Sequence, residues 1–435
     1  MKQSATIHWF RRDLRLEDNA ALYNSLVNHN NVIPLFIFDK HILDQLEDKY
    51  DARVSFIYET VAKLKDQLQQ LGSDVIVEYG YPGEVFKKLI KEYIIDAVYT
   101  NHDYEPYAIE RDIEIKQLLS DSGIQFHTFK DQVIFEKNEV LKADGTPYTV
   151  YTPYSRVWKD KLNPFFLASY PTEKYFHKFS KIEPLRFRKL TGLGFMKSEI
   201  RIPAQEINES IIRNYHKTRN IPSINGTSRL SVHLRFGTIS IRKLATFASE
   251  ANEKYFNELI WREFYQAILW HFPLVVKNAF KPAYDKIPWR NNEKEFKLWC
   301  SGKTGYPIVD AGMRELNATG FMHNRIRMVV ASFLTKHLLI DWRWGEAYFA
   351  QKLLDFELAS NNGGWQWASG SGVDSAPYFR IFNPYVQTKN FDPELIYIRK
   401  WVPEFDSLEY PSPIVEHKFA RERCLMVYKK ALDQN

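Results

Sequence analysis

The sequence predicts an α/β domain with a doubly wound parallel sheet, joined by a long linker to a larger all-α domain. Three observations support this prediction. Short apolar segments alternate with amphipathic ones over the first 130 residues, five prolines interrupt residues 131–195, and long helical patterns dominate from about residue 204. A chain of 435 residues also exceeds one typical domain, so about two or three domains are expected.

The first 130 residues contain five segments with the composition of strands, rich in Val, Ile and aromatic residues. They are residues 5–10, 32–38, 73–80, 96–101 and 124–129. Between them lie helical patterns such as residues 53–72, which Gly72 terminates. This alternation predicts a parallel sheet with helices on both faces and any ligand at the carboxyl ends of the strands.

The remaining residues predict the linker and the helical domain. Residues 131–195 read as an irregular connector that carries many aromatic side chains. Helical periodicity is clearest in residues 254–272, 321–340 and 345–358. The predicted domains are therefore residues 1–130, 131–195 and 196–435.

Composition indicates a globular protein without a disulfide framework. Apolar residues make up 45% and charged residues 26%, and the net charge of +6 is compatible with a polyanionic partner. The two cysteines, Cys300 and Cys424, cannot build a disulfide framework or a Cys-based zinc site. The sequence has no secretory pattern and no apolar run of membrane-spanning length. A cytoplasmic location, or a nuclear one in a eukaryote, and no membrane partner are therefore expected.

Several common catalytic and nucleotide-binding motifs are missing. No G-x-G-x-x-G follows the first strand, and SGKTG (301–305) lacks the earlier glycine of a phosphate-binding loop. There is no H-E-x-x-H or G-x-S-x-G, and the histidines are scattered, so no metal site is predicted.

Polar side chains on the predicted helices are the remaining candidates. One face of helix 254–272 carries Glu258, Tyr265 and either Trp261 or Arg262. A purely structural ion pair of Glu258 with the arginine is as open an interpretation as a functional role. Asn324, Arg327 and Met328 share a face of the next long helix. Asp355 follows near a helix end, where the dipole disfavours an anion, so Arg327 is its predicted partner.

Six segments occur in an order that identifies a resemblance. They are WFRRDLRLEDN (9–19), GTSRLSVHLRFGTIS (226–240), NELIWREFY (257–265), KTGYPIVDAGMREL (303–316), MHNRIRM (322–328) and NNGGWQW (361–367). Over essentially the whole chain, the sequence resembles the DNA photolyase/cryptochrome family, and within it the class I cyclobutane pyrimidine dimer photolyases. The resemblance implies an N-terminal antenna domain and a helical domain that holds FAD in a folded, U-shaped conformation.

The resemblance implies a set of FAD-binding residues. Those expected near the pyrophosphate are Tyr215, Thr227, Ser228, Arg229, Leu230 and Ser231, and Tyr255 is a further expected FAD contact. Asp355, paired with Arg327, and Glu357 would lie along the flavin and ribose, and Asn361 would face flavin N5. The family usually has Asp where this chain has Glu357.

The resemblance also gives the tryptophans of residues 361–372 separate roles. Trp365, Trp342 and Trp289 would carry an electron inward from the surface, with Trp365 nearest the flavin. Trp367 would line the lesion pocket. We expect this glycine-rich segment to be extended or tightly turned, so that the two indoles point to different sites; two core tryptophans are the alternative.

The resemblance implies UV-damaged DNA, single- or double-stranded, as the substrate. Photolyases are themselves a known case of base flipping, so the cyclobutane dimer is expected to leave the helix. Glu258 would hydrogen-bond the dimer, and Asn324, Met328, Trp261 and Trp367 would complete the pocket. The residues expected near the DNA are Arg219, Arg262, Tyr265, Arg325 and Gln387. The implied reaction is light-driven electron transfer by a monomer.

The antenna chromophore stays open. Glu110 matches the glutamate of folate-type relatives in YEPYAIERD (104–112), but Ile109 replaces the neighbouring asparagine. The second chromophore could be methenyltetrahydrofolate, a deazaflavin, another flavin, or nothing.

Three other functions remain as alternatives. A (6-4) photolyase usually has a second histidine at the position of Asn324 and lacks Met328, so the cyclobutane substrate is favoured. Many cryptochrome photoreceptors carry a long C-terminal extension, and the retention of Glu258, Met328 and Trp367 favours repair over this signalling function. An ordinary flavin oxidoreductase would need a nicotinamide fingerprint, which is missing.

Overall fold

The computed structural model describes residues 4–433, and within this range five parallel strands form one sheet. The strands are β1 (Ala5–Phe10), β2 (Val32–Asp39), β3 (Ile76–Gly80), β4 (Ile95–Asn101) and β5 (Gln125–Phe129), in the spatial order β3-β2-β1-β4-β5. The predicted α/β class and all five predicted strands are confirmed. Every residue of β1 and β2 is buried, as expected for central strands covered on both faces.

Five helices connect or follow these strands: α1 (Ala20–Asn28), α2 (Lys40–Leu43), α3 (Ala52–Gln70), α4 (Pro82–Glu92) and α5 (Pro106–Asp121). Asn19 and Asp51 cap α1 and α3 by accepting backbone N–H groups. The helix predicted over residues 53–72 is confirmed as α3.

The linker predicted to be irregular contains helices. They are α6 (Tyr151–Lys161), α7 (Pro164–Leu167) and the 3₁₀ turns Thr172–Lys178 and Leu190–Leu193. The prediction was wrong for α6 because Pro153 lies in its first turn, where proline costs no helical hydrogen bond. Tyr154 and Trp158 provide the buried face of this helix.

The other helices run through the second half of the chain. They are α8 (Glu209–Thr218), α9 (Ser231–Phe236), α10 (Ile241–Ala251), α11 (Glu253–His271), α12 (Glu293–Cys300), α13 (Pro307–Thr319), α14 (Asn324–Ser332), α15 (Trp342–Lys352), α16 (Leu358–Ser369), α17 (Pro384–Phe391), α18 (Ile396–Trp401) and α19 (His417–Leu432). Two 3₁₀ turns, Pro273–Val276 and Pro282–Lys286, lie between α11 and α12.

The three long helical predictions are confirmed as elements, with changed ends. Residues 254–272 form α11, and residues 321–340 form α14 followed by a π-helix at Phe333–His337. The pattern at 345–358 corresponds to α15, which already ends at Lys352. Asp355 therefore lies beyond the helix, so the helix dipole argument for its partner does not apply to it.

The glycine-rich segment was predicted to be extended or tightly turned, and this was wrong. It forms α16, a regular helix that ends where Gly370 adopts φ 92°. Helical spacing still separates the two indoles, because residues two apart in a helix point about 200° apart. Trp365 is buried and Trp367 is half-buried.

The chain divides into two compact units whose segments interleave. The first consists of residues 1–136, 161–207 and 230–247, and the second of residues 137–160, 208–229 and 248–435. The contiguous domains predicted from composition have different bounds. Residues 161–195 of the predicted linker belong to the first unit, and Thr172 Oγ1 donates there to Leu16 O at 2.7 Å. Arg242, from the later segment 230–247, pairs with Asp18 and Asp131 of the same unit.

Among the described residues, no helix combines the length and the apolarity needed to cross a bilayer. No group of three or more His, Cys, Asp or Glu side chains in residues 4–433 is arranged to hold a metal ion.

Candidate functional site

Helix α16 is central to the arrangement of the predicted site residues. It packs against α11, α14 and α15 in the second unit. Asn361, Trp365 and Trp367 lie on α16, Glu258 and Trp261 on α11, and Asn324 and Met328 on α14. The helices predicted to contact cofactor and lesion are therefore direct neighbours of one helix.

Glu258 and Arg219 form an ion pair, with 2.7 Å between Oε1 and Nη1 and about a third of each side chain exposed. Burial raises the pKa of Glu258, while Arg219 and a hydrogen bond from Tyr215 oppose that rise. The pair places a hydrogen-bond acceptor and a charged donor side by side. Thymine presents carbonyl acceptors and one N–H donor along its pairing edge, so this combination suits a flipped pyrimidine.

Arg262 is engaged in the interior. Its Nη2 lies 2.8 Å from Oε1 of Glu357, which also accepts from Gln266 Nε2 at 3.1 Å. Ser360 donates to the other carboxylate oxygen at 3.1 Å. This pair connects α11 to the first residues of α16, and only 11% of the Arg262 side chain is exposed. Its geometry is that of a structural ion pair with Glu357. The sequence had instead offered Arg262 as a partner of Glu258 or as a contact near the DNA, and Glu258 pairs with Arg219.

The predicted pair of Arg327 and Asp355 is present. Arg327 Nη2 lies 3.0 and 3.2 Å from the two carboxylate oxygens, and its Nε donates to Met322 O at 2.8 Å. The backbone contact fixes the guanidinium, so the carboxylate of Asp355 is held in a defined position although it lies outside a helix.

Asn361 is oriented by α15. Its Nδ2 donates to the backbone oxygen of Glu346 at 3.1 Å and to Oε1 of the same residue at 2.8 Å. Burial raises the pKa of Glu346, and the amide of Asn361 counteracts part of that rise. Two contacts to one residue hold the amide plane in place.

The segment 227–231 crosses from the second unit into the first. Thr227, Ser228 and Arg229 belong to the second unit, where the Ser228 hydroxyl lies 2.9 Å from the Tyr255 hydroxyl. Tyr215 packs edge-on against Tyr255 at 5.2 Å. Leu230 and Ser231 belong to the first unit, and Ser231 begins α9.

The hydrogen-bond donors of residues 227–231 suit a diphosphate. Arg229 adopts φ 54° and its guanidinium lies 4.4 Å from the ring centre of Phe321. Its Nε is buried and has no hydrogen-bond partner among the described residues. Unmet N–H donors are costly in a protein interior, and anionic phosphate oxygens are their strongest acceptors. The residues expected to hold the FAD pyrophosphate therefore suit it chemically.

The other residues predicted near the lesion and the DNA differ in exposure. Asn324 is exposed, and Met328, Tyr265 and Gln387 are half-buried. Arg325 donates to Asn220 Oδ1 at 2.9 Å and packs over Phe391. Burial and the positive charges of Arg219 and Arg380 lower its pKa, which indicates a locally positive surface.

The three tryptophans of the predicted electron path differ in burial. Trp365 and Trp342 are each 2% exposed members of one core cluster, and the partly buried Trp289 packs against that cluster. Burial thus decreases from Trp365 to Trp289, as a path towards solvent requires.

The sequence reasoning missed several neighbours of these residues. Trp299 packs edge-on against Trp365 at 6.0 Å, and Tyr428 packs edge-on against Trp289 at 5.9 Å. Tyr151 stacks on Trp261. The aromatic run YTVYTPYSRVW (148–158) was a visible signal for Tyr151, but nothing in its spacing pointed to α11.

Glu110, the predicted antenna residue, lies on α5 of the first unit with an exposed side chain, and Ile109 is half-buried. These positions do not select one chromophore over another.

Comparisons with known proteins identify the family of the chain. Residues 6–174 match the family model described as DNA photolyase, and residues 255–409 match the one described as FAD binding domain of DNA photolyase. The chain is similar to deoxyribodipyrimidine photo-lyase of Synechococcus sp., with 37% identity covering 98% of this chain and 96% of the relative.

Two solved structures extend the comparison. A bacterial class III photolyase from Agrobacterium tumefaciens has a TM-score of 0.88 and 33% identity, with 100% of this chain and 99% of that chain covered. An archaeal photolyase from Sulfolobus tokodaii, solved with two FAD molecules, has a TM-score of 0.81 and 34% identity, with 98% and 100% covered.

Proposed function

This chain belongs to the DNA photolyase family, and we propose that it uses light to repair cyclobutane pyrimidine dimers in DNA. The observation that carries the proposal is the placement of Asn361, Trp365 and Trp367 on one helix that packs against α11 and α14. Cofactor, electron supply and lesion recognition all need residues from these helices, and α16 brings them together.

FAD is the cofactor, since residues 255–409 match the family's FAD binding domain. When bound and reduced, it supplies a light-excited electron donor. In our proposal Thr227, Ser228 and Arg229 bind the diphosphate together with Tyr215 and Tyr255, all of which belong to the second unit. Asp355 and Glu357 accept hydrogen bonds from the ribose and flavin, and Asn361 holds its amide against flavin N5.

The lesion pocket lies between α11, α14 and the C-terminal half of α16. Glu258 and Arg219 hydrogen-bond the edge of the flipped dimer, and Trp367 and Trp261 bound it with aromatic surface. Asn324 and Met328 complete the pocket. Arg325 contacts the DNA backbone, with Gln387 and Tyr265 near it. Arg262 acts through its pair with Glu357, by fixing the start of α16.

The electrons that would reduce oxidised FAD enter through Trp289, Trp342 and Trp365. An indole can lose an electron transiently to an excited oxidised flavin. Electron transfer between successive indoles would then move the positive charge outward. Because Trp289 is the partly exposed member, it is the one that meets a reductant in solution.

A second chromophore in the first unit is also part of the proposal. The Sulfolobus tokodaii photolyase was solved with two FAD molecules and discussed as having a novel light-harvesting cofactor. An absorption spectrum of the purified protein, followed by acid extraction and chromatography, identifies a folate, a deazaflavin or a flavin. We keep a monomer in a reducing cytoplasm as predictions; both cysteines are free thiols.

The decisive experiment compares three DNA duplexes that carry a cyclobutane dimer, a (6-4) photoproduct or no damage. With reduced FAD, blue light and no NAD(P)H, we expect repair of the dimer alone. Binding should weaken as salt rises, because Arg side chains displace counterions from phosphates. Repair of the (6-4) product instead indicates a (6-4) photolyase, and a photoactive protein that repairs neither duplex indicates a photoreceptor.

A further inference from the structure

We propose that Tyr151 is a positioning residue of the lesion pocket, which covers one face of Trp261 and leaves the opposite face for a base of the dimer. The two rings are nearly parallel, with 3.7 Å between their centres and 6° between their planes. This inference rests on the proposed function, and it assigns a recognition role to the helix that begins within the predicted linker.

The ring of Tyr151 is fixed at its far end. Its hydroxyl donates to the backbone oxygen of Asn257 at 3.0 Å, one turn before Trp261 on α11. Burial, with the nearby charge of Glu258, raises the pKa of Tyr151, so the phenol remains a donor at neutral pH. Because ring and hydroxyl both contact α11, the stack cannot slide along the helix.

Helix α6 is itself fastened to α11. Trp158, which is 1% exposed, donates from Nε1 to Oε2 of Glu263 at 2.6 Å. Lys159 pairs with Glu253 at 3.0 Å near the start of α11. These contacts run along more than two turns of α11, so Tyr151 reaches Trp261 as part of a docked helix.

The other described rings near Trp261 do not stack on it in parallel. Phe264 meets it edge-on at 81°, and Tyr265 is tilted at 35°. Within residues 4–433, Tyr151 is the ring that stacks in parallel on Trp261. An indole clamped in this way loses little additional freedom when a ligand packs on it, which favours binding. The saturated C5–C6 bonds make the bases of a dimer non-planar, so they offer less flat surface for stacking. A ring that is already held in position compensates for part of this loss.

The test separates positioning from a purely structural contribution. Tyr151→Phe keeps the ring and removes the hydroxyl, whereas Tyr151→Leu removes the ring. Tyr148→Leu is the matched control, because Tyr148 lies in the same segment and packs on Tyr154. Each holoprotein is titrated in the dark with dimer-containing and undamaged duplex, after its FAD absorbance and Tm have been measured.

We expect Tyr151→Leu to reduce the ratio of the two affinities by about threefold to tenfold, the range of an aromatic pair. Affinity for undamaged DNA should stay the same. Tyr148→Leu should keep the ratio of the unaltered protein, and Tyr151→Phe, which keeps the stacking ring but loses its anchoring hydroxyl, should lower the ratio less than Tyr151→Leu does. An unchanged ratio in Tyr151→Leu, or an equal loss on both duplexes, overturns the proposal. A protein whose unaltered form shows no preference for the dimer contradicts the proposed function itself.

A double-mutant cycle provides a second test that remains valid if Tyr151→Leu fails to fold. If Tyr151 acts through Trp261, then Tyr151→His should lower the ratio in the normal background and have no further effect in a Trp261→Leu background. Equal effects in the two backgrounds show that Tyr151 acts independently of Trp261, and the inference is then wrong.

Discussion

Gly363 of α16 lies directly against the ring of Tyr265 on α11. A Cβ atom built on Gly363 would fall 2.2 Å from Cδ1 of Tyr265, a distance that no real side chain adopts. The adjacent Gly364 has no heavy atom within 4 Å of the corresponding position. The paired glycines of NNGGWQW therefore have different roles: the first allows two helices to touch, and the second faces open space.

This difference predicts opposite effects of the same substitution. Gly363→Ala should destabilise the protein by about 1–3 kcal/mol, because the extra methyl separates α16 from α11. Gly364→Ala should stabilise it by about 0.5–1 kcal/mol, since alanine restricts the unfolded chain and favours the helix. Thermal unfolding and FAD retention of both variants give the comparison; similar Tm values contradict the assigned packing.

Trp289→Phe should slow the photoreduction of oxidised FAD by at least tenfold while repair by pre-reduced enzyme is largely retained. The indole is oxidised more easily than a phenyl ring, so the path loses its exposed end. Trp344→Phe is the control, because Trp344 packs against the same cluster outside the proposed path. Flash photolysis measures the first process and single-turnover repair the second. Equal losses in both would remove Trp289 from the path.

Trp367→Ala should reduce the preference for dimer-containing over undamaged DNA by about 1–3 kcal/mol, the usual value of base stacking on an aromatic ring. Trp270→Ala, which alters another half-buried tryptophan outside the pocket, should leave the preference unchanged. Competition titrations with both duplexes measure the difference. A preference unaffected by Trp367→Ala places this indole elsewhere.

Lys336 predicts a pH dependence of stability. Its side chain is buried in the π-helix, donates to Ser369 O at 2.8 Å and lies 4.0 Å from the ring centre of Tyr428. Burial lowers the pKa of Lys336 to about 8. Burial also raises the pKa of Cys424 to about 11, so this neighbouring thiol stays neutral when Lys336 titrates.

The sign of the effect follows from proton binding. Above pH 8 the unfolded chain holds the lysine proton and the folded protein releases it, so stability rises with pH until the unfolded lysine also titrates. Relative to Lys336→Met, the unaltered protein should gain about 2 kcal/mol between about pH 8 and 9.5. The exposed Lys430→Met should show no such change in guanidinium titrations. If the difference in free energy of unfolding between the unaltered protein and Lys336→Met does not change with pH, folding does not lower the pKa of Lys336.

The sheet could be predicted well from the sequence because buried parallel strands produce short apolar runs between turn residues. Residues 5–10 and 96–101, for example, have nearly the observed bounds of β1 and β4. The ion pair of Arg327 and Asp355 was predicted and is present, but the helix dipole from which it was predicted does not act on Asp355, because α15 ends at Lys352.

Other features depend on contacts between distant segments and could not be predicted. Composition suggested that NNGGWQW was irregular, but the close contact with Tyr265 makes glycine favourable inside a helix. Helix α6 was hidden by Pro153 in its first turn. The return of residues 161–207 and 230–247 to the first unit depends on buried pairs such as Arg242 with Asp131, whose partners are far apart in the chain.

The pair of Arg262 and Glu357 has a consequence for how the protein could acquire a new specificity. The carboxylate of Glu357 reaches across to α11, where it lies 2.8 Å from Nη2 of Arg262. Replacing Glu357 alone would remove a close acidic partner from a largely buried guanidinium, so the two positions are expected to change together. Descendants of this sequence would therefore diversify first at exposed sites such as Asn324, where one substitution has no obligatory partner.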